Sequence, residues 1–242
     1  MIDRNIGIIS DGPTDWLIFR KLVETIVREK QPNTTLNFVQ LKRQSLRDQI
    51  DRYWQEASRE NNYHLPAEPA NHLLKEVVGI IRQAFHDFEN ESGVEGLSAR
   101  DMLIVTTDTE RAVKHSRAYF EESWTFSLSK ILVGAVEQFY QLKVQENYPY
   151  EYLPFILPLA VFPSTEILVA VAKNHPQSHY GKSPQELKRI LYNTDDLRTL
   201  RPGELEKRAL DVITPERVNA IFNQIPESRP LIQTLSFGRT RL

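Results

Sequence analysis

From residue 5 the sequence reads Asn5-Ile6-Gly7-Ile8-Ile9-Ser10, and this apolar run breaks directly into Asp11-Gly12-Pro13-Thr14-Asp15. The run predicts a β-strand, and the glycine and proline after it predict a tight turn. Pro13 suits the first position of a helix, because its missing N–H has no intrahelical partner there. Ligands of open α/β sheets bind beyond the carboxyl ends of the strands, so the two acids of this turn are candidate site residues.

Further elements are predicted from apolar periodicity and from prolines. The first helix is expected from Pro13 to about Lys30, with apolar residues at three- and four-residue spacing. Later strands are predicted over 36–41, 101–107 and 152–162, and later helices over 44–58, 70–90 and 126–145. Pro154 and Pro158 indicate that the last strand is irregular or lies at an edge of the sheet.

This succession of elements predicts an α/β fold with a mostly parallel central sheet and helices on both faces. A helical insertion is expected after the strand that ends near Asp108, and a helical C-terminal portion after the last strand. We expect one domain over residues 1–242, with its core at about 1–175 and a helical extension at about 176–242.

The composition limits which metal ligands the chain can provide. The chain has 242 residues, no cysteine and a formal net charge of -2. Any metal must therefore be held by oxygen or histidine ligands, and hard cations such as magnesium are favoured. No apolar run approaches the roughly 18 residues of a membrane span, and no signal peptide is evident, so we expect a cytoplasmic protein without a membrane partner.

Carboxylates follow three of the predicted strands. Asp11 and Asp15 follow the first, Asp108 and Glu110 follow the strand near residue 105, and Glu166 opens the helix after the last strand. If these strands are parallel neighbours, the acids lie at one edge of the sheet, roughly 5 to 10 Å apart. That spacing suits a magnesium site. Each acid can also serve only to satisfy backbone donors in a turn or in the first turn of a helix.

The same residues resemble the Toprim superfamily, in particular the stand-alone Toprim-like proteins related to overcoming-lysogenisation-defect nucleases. Ser10-Asp11-Gly12-Pro13-Thr14-Asp15 is similar to the family's first motif, with aspartate in place of its first glutamate. Asp108-Thr109-Glu110 is similar to its Asp-x-Asp, with glutamate in the second place. Glu166 resembles a glutamate that opens the helix after the next strand, and His175-Pro176 and Ile225-Pro226-Glu227-Ser228 fit the family loosely.

The resemblance implies a Toprim-type, Rossmann-like sheet and magnesium-assisted phosphoryl transfer on nucleic acid. Asp11, Asp108, Glu110 and Glu166 would surround Mg²⁺ or Mn²⁺, with Asp11 and Asp108 as the catalytic pair and Asp15 in a secondary place. A nuclease of phage defence or DNA repair is the expected member. A topoisomerase is not expected, because the chain is too short to include that enzyme's tyrosine domain. A primase is not expected either, because its zinc module needs cysteines and this chain has none.

A basic cluster after the second predicted strand is a candidate surface for nucleic acid. Lys42, Arg43 and Arg47 lie there, and aromatic residues follow at Tyr53 and Trp54. Such a mixture can bind phosphates and stack bases. Acids interrupt the run, however, so a solvated helix face is the alternative interpretation.

Two other functions stay open at this stage. One is a non-catalytic metal- or nucleotide-binding regulatory module that partners an ATPase in a defence or repair system, which the two altered acids favour. The other is a phospho-acceptor receiver domain, in which Asp108 accepts phosphate. A receiver needs a lysine at a late strand end near Asp108, whereas a Toprim site needs Glu166 in the same pocket. The length of the chain counts against the receiver.

Overall fold

A computed structural model describes residues 2–41, 46–57, 67–92, 96–109, 128–162, 164–179, 182–195 and 210–237. Its strands are β1 (Ile2–Ile9), β2 (Thr34–Gln40), β3 (Met102–Asp108) and β4 (Phe155–Val161). The α-helices, numbered here along the chain, are α1 (Pro13–Lys30), α2 (Leu46–Ala57), α3 (Ala67–Glu91), α4 (Leu128–Gln145), α5 (Glu166–Ala172), α6 (Pro184–Tyr192), α7 (Pro215–Gln224) and α8 (Arg229–Phe237). Within these residues no helix is both long enough and apolar enough to cross a membrane.

The four strands form one sheet in the order β2-β1-β3-β4, and every pairing is parallel. The predicted α/β class is therefore confirmed. From β1 the chain moves to one side to make β2, then returns to the other side of β1 to make β3 and β4. The strand order thus reverses between β1 and β3, and a crevice opens there at the carboxyl ends of the strands.

Helices cover both faces of the sheet, as predicted. On one face, Ile9 of β1 and Val105 of β3 pack with the apolar sides of α2, α3 and α4. On the other face, Ile8 and Ile104 pack with α1, α5, α7 and α8. Alternate residues of β3 point to opposite faces, so an unbroken apolar run is needed to bury both. The C-terminal helices α7 and α8 are part of this second core.

Most predicted boundaries agree with the structure to within a few residues. Helix α1 has the predicted bounds, since Pro13 occupies its first turn. The edge position predicted from the prolines is confirmed, because β4 pairs only with β3 among the described strands. The start predicted for β4 was wrong by three residues. Tyr150–Tyr152 instead makes a 3-10 turn, closed by the N–H of Leu153 donating to the carbonyl of Tyr150 at 3.1 Å.

Candidate functional site at the switch point

The turn after β1 places Asp11 and Asp15 at the mouth of the crevice. Gly12 is extended (φ -155°) and precedes Pro13, which begins α1. The hydroxyl of Ser10 donates to the carbonyl of Gly12 at 3.0 Å and holds the turn. Both acids are buried, with exposed fractions of 6% for Asp11 and 7% for Asp15. Buried acids are uncommon unless they are paired or functional.

Asp11 is bound to the end of β3. Its Oδ2 accepts hydrogen bonds from the hydroxyl of Thr107 at 2.7 Å and from the backbone N–H of Asp108 at 2.9 Å. Burial raises the pKa of Asp11, although these two bonds and the charge of Arg47 act to lower it. The exits of β1 and β3 are therefore joined through one carboxylate.

Thr165 joins the exit of β4 to the same group. Its backbone N–H donates to Oδ1 of Asp108 at 3.0 Å, and its hydroxyl donates to Oδ1 of Asp15. Thr165 is buried and is the residue that precedes α5. Asp108 and Asp15 are thus held by two atoms of a single residue.

Asp15 has the most perturbed carboxyl of the group. Burial and the charge of Glu166 raise its pKa to about 7, the charge of Asp11 contributes further, and the Thr165 bond opposes them. When two carboxyl groups lie close together away from water, the charge of one disfavours ionisation of the other. Asp15 therefore keeps its proton to a higher pH than an exposed aspartate does.

Glu166, the fourth acid, is paired with Lys188. It is 1% exposed, its Oε2 accepts from the hydroxyl of Ser164 at 2.6 Å, and its Oε1 lies 3.1 Å from Nζ of Lys188. Burial alone would lower the pKa of Lys188, but the charges of Glu166, Asp15 and Asp108 and the bond to Glu166 raise it above its ordinary value. The crevice therefore contains an internal cation.

Tyr192 lies one turn beyond Lys188 on α6 and borders the same acids. Burial and the charges of Glu166 and Asp15 raise the pKa of its phenol. The start of α6 is held by a capping box in which Ser183 and Glu186 exchange hydrogen bonds. The helix that presents Lys188 and Tyr192 is therefore anchored at its beginning.

Most of the predicted acids converge. Asp11, Asp15, Asp108 and Glu166 come together, whereas Glu110 lies outside the described residues. Of the predicted basic cluster, Lys42 and Arg43 also lie outside them. Arg47 is on α2, close enough to lower the pKa of Asp11.

The donor chemistry suits a hard cation, since carboxylate and hydroxyl oxygens are the ligands that Mg²⁺ takes. In the observed arrangement Oδ2 of Asp11, Oδ1 of Asp15 and Oε2 of Glu166 accept bonds from Thr107, Thr165 and Ser164, and Oε1 of Glu166 lies beside Lys188. Among the residues that the structure describes, no three or more acids or histidines are grouped in a way that could hold a metal ion. A metal that binds through these engaged oxygens requires the side chains to exchange partners.

Sequence reasoning missed the residues that bond to the acids, which are Thr107, Ser164, Thr165 and Lys188, and it missed Tyr192, which lies near them. The threonines and the serine adjoin predicted acids, so their hydroxyls could have been included by proximity. Lys188 carries no such signal, because it lies 22 residues from Glu166 on an ordinary amphipathic helix.

Comparison with known proteins adds no relative, since no protein-family model, no curated protein and no solved structure matches this chain.

Proposed function

We propose that this protein is a magnesium-dependent phosphoryl-transfer enzyme acting on nucleic acid, most simply a nuclease of the Toprim type. The observation that carries the proposal is the convergence of Asp11, Asp15, Asp108 and Glu166 from three strand exits at the switch point of a parallel sheet. Crevices at such points are where α/β proteins bind ligands. Three buried acids and the half-buried Asp108, set against Lys188 and Arg47, leave this crevice with more negative than positive charge.

Asp11, Asp108 and Glu166, together with Glu110, are the proposed ligands of Mg²⁺ or Mn²⁺. When bound, the metal would supply neutralisation of the phosphate and activation of water. Asp11 also suits proton transfer, because its burial raises its pKa toward the range where a general base is useful. The raised pKa of Asp15 favours its protonated form, which limits the negative charge beside the ligands.

Arg47 supports nucleic acid as the substrate. It lies in the first turn of α2, its charge lowers the pKa of Asp11, and Lys42 and Arg43 precede it in the sequence. A guanidinium beside the acids can bind a backbone phosphate next to the one that reacts. A cytoplasmic location belongs to the same proposal.

The test is a calorimetric titration with Mn²⁺ and Mg²⁺ of the wild-type chain and of the double variant Asp11→Asn, Asp108→Asn. The control is a matched double variant, Glu68→Gln with Glu76→Gln, which removes two exposed charges from α3. Helix α3 belongs to the layer that α2 and α4 form on one face of the sheet. We expect saturable binding that only the first variant loses, and metal-dependent cleavage in a screen of single- and double-stranded DNA and RNA. Equal binding by all three chains, or no binding up to several millimolar, would contradict the proposal.

The second candidate is a non-catalytic metal- or nucleotide-binding module that partners an ATPase. The specific observation in its favour is that each acid already has a partner inside the protein, with Glu166 neutralised by Lys188. For this function we expect no cleavage of any substrate in the screen. Retention of an ATPase and its nucleic acid on the immobilised chain would be its positive sign.

A further inference from the structure

Lys188 and Glu166 form an ion pair in the middle of the proposed metal site. Nζ of Lys188 lies 3.1 Å from Oε1 of Glu166, and the hydroxyl of Ser164 donates to Oε2 at 2.6 Å. Both oxygens of Glu166 are therefore engaged before any metal binds. Glu166 is 1% exposed and the side chain of Lys188 is 40% exposed, so the pair is shielded from water on the carboxylate side only.

We infer that Lys188 is an internal counter-ion that competes with a divalent cation for Glu166, so that the position of this one ammonium group regulates metal binding at the crevice. The inference rests on the proposed function, because it concerns the same acids. An ammonium is a compact point charge that can occupy the place of a cation among carboxylates. The charge of Lys188 interacts with Asp15 and Asp108 as well as with Glu166, so it partly neutralises all three acids.

Only one member of the pair is free to move. Glu166 opens α5, a helix whose seven residues are all buried. The side chain of Lys188 is 40% exposed, and the long stem of a lysine can carry its charged end into water. The capping box at Ser183 and Glu186 fixes the start of α6, so the movement that we propose is a rotation of the lysine side chain and not of the helix.

The ion pair therefore raises the metal concentration that is needed to fill the site. A divalent cation that binds Glu166 must displace Lys188, and the lost ion pair weakens the observed affinity. Once displaced, the ammonium faces solvent at the rim of the crevice. Removing the lysine charge leaves Glu166 without a counter-ion and should strengthen metal binding.

The experiment titrates Mn²⁺ and Mg²⁺ alone, by calorimetry, into the full-length wild type, Lys188→Met and Lys188→Arg. Lys75→Met is the matched control, because Lys75 is exposed on α3 in the layer on the opposite face of the sheet. We expect Lys188→Met to bind metal at least tenfold more tightly than the wild type. Lys188→Arg and Lys75→Met should stay within a factor of two to three of the wild type, since one retains the local charge and the other lies elsewhere.

A second measurement needs no variant. Wild-type protein is treated briefly with acetic anhydride, with and without Mn²⁺, and modification of each lysine is read by mass spectrometry. We expect acetylation of Lys188 to rise several-fold with metal while that of Lys75 is unchanged. This measurement stands even if Lys188→Met does not fold without metal.

The outcomes separate the two proposals. If the wild type binds metal and Lys188→Met binds equally or more weakly, or if metal leaves Lys188 equally protected, the counter-ion inference is overturned while the proposed function survives. If none of the chains binds metal, the proposed function fails and the inference fails with it.

Discussion

The backbone N–H of Asp108 donates a 2.9 Å hydrogen bond to Oδ2 of Asp11, although 97 residues separate them in sequence. The bond links the exits of two neighbouring strands at the point where the strand order reverses. Because the donor is a main-chain atom, the position of Asp11 is set by the sheet itself. A carboxylate placed in this way costs little additional ordering when a ligand binds.

Substitutions at Asp11 should separate its hydrogen bonds from its charge. Asp11→Asn keeps an acceptor for the buried hydroxyl of Thr107 and the N–H of Asp108, whereas Asp11→Ala leaves both donors unpaired. We expect the alanine variant to be less stable than the asparagine variant by about 1–3 kcal/mol in urea unfolding at pH 7. Equal stabilities would mean that water replaces the lost acceptor.

The contribution of Asp15 to the stability of the metal-free protein should fall as pH rises between about 4 and 7. Its pKa is about 7 in the folded state against an ordinary value of 3.8, so in this window the folded state binds more protons than the unfolded state. The contribution is absent below pH 4 and reaches up to about 4 kcal/mol of lost stability above pH 7.

The measurement for Asp15 is chemical unfolding across this pH range in the presence of a chelator. Asp15→Asn keeps an oxygen for the Thr165 hydroxyl and cannot ionise, so its stability relative to the wild type should increase steadily from pH 4 to pH 8. A constant difference between the two chains across the range would contradict the shift.

Thr165→Val should raise the pKa of Asp15 further. The Thr165 hydroxyl donates to Asp15 and lowers its pKa, and valine keeps the shape of the side chain while removing the donor. Titration of the aspartate carboxyl carbons by NMR reports the change directly. Thr165→Ser, which keeps the hydroxyl, is the control and should titrate like the wild type.

Asp101→Ala should destabilise the protein without affecting the crevice. Asp101 is buried at the amino end of β3 and accepts bonds from the N–H of Asn5 and the N–H of Ser98, both at 2.6 Å, and from the Ser98 hydroxyl at 3.0 Å. We expect a loss of about 3 kcal/mol, since a buried charged acceptor with three donors is removed. Metal affinity measured on the folded fraction should be unchanged, and a change would place Asp101 in the site.

Gly7→Ala should be destabilising and Gly79→Ala stabilising. A Cβ at Gly7 would lie 3.1 Å from side-chain carbons of Leu103 and Phe88, whereas one at Gly79, exposed in α3, would meet nothing within 4 Å. Crowding in a packed core costs about 1–3 kcal/mol, and alanine in an open helix gains about 0.5–1 kcal/mol over glycine. Thermal unfolding of both variants checks the opposite signs.

Local chemistry made the elements of the first half of the chain predictable. Pro13 sets the start of α1, and the unbroken apolar run of β3 indicates a strand covered on both faces. The acids could be predicted because each follows a strand, and parallel strands end on the same side of a sheet. Such inferences need only the order of elements along the chain.

The partners of the acids could not be predicted, because their roles arise only in the folded protein. Thr165 bonds to Asp15 across 150 residues, and Lys188 reaches Glu166 from a different helix. A lysine on the polar face of an amphipathic helix looks the same whether it faces water or a buried glutamate. The 3-10 turn at Tyr150–Tyr152 was missed because its tyrosines fit a strand equally well.

The strand order also bears on how the protein is made. During synthesis β1 and β2 emerge first and can pair, but β1 gains its second neighbour only when β3 follows, more than 60 residues after the end of β2. Asp11 then acquires the N–H of Asp108, and Asp15 acquires the Thr165 hydroxyl later still. A nascent chain that stops before α6 holds the four acids without Lys188. The crevice therefore cannot be complete until α6 has been synthesised, and the ribosome-bound chain carries its four carboxylates before their internal cation exists.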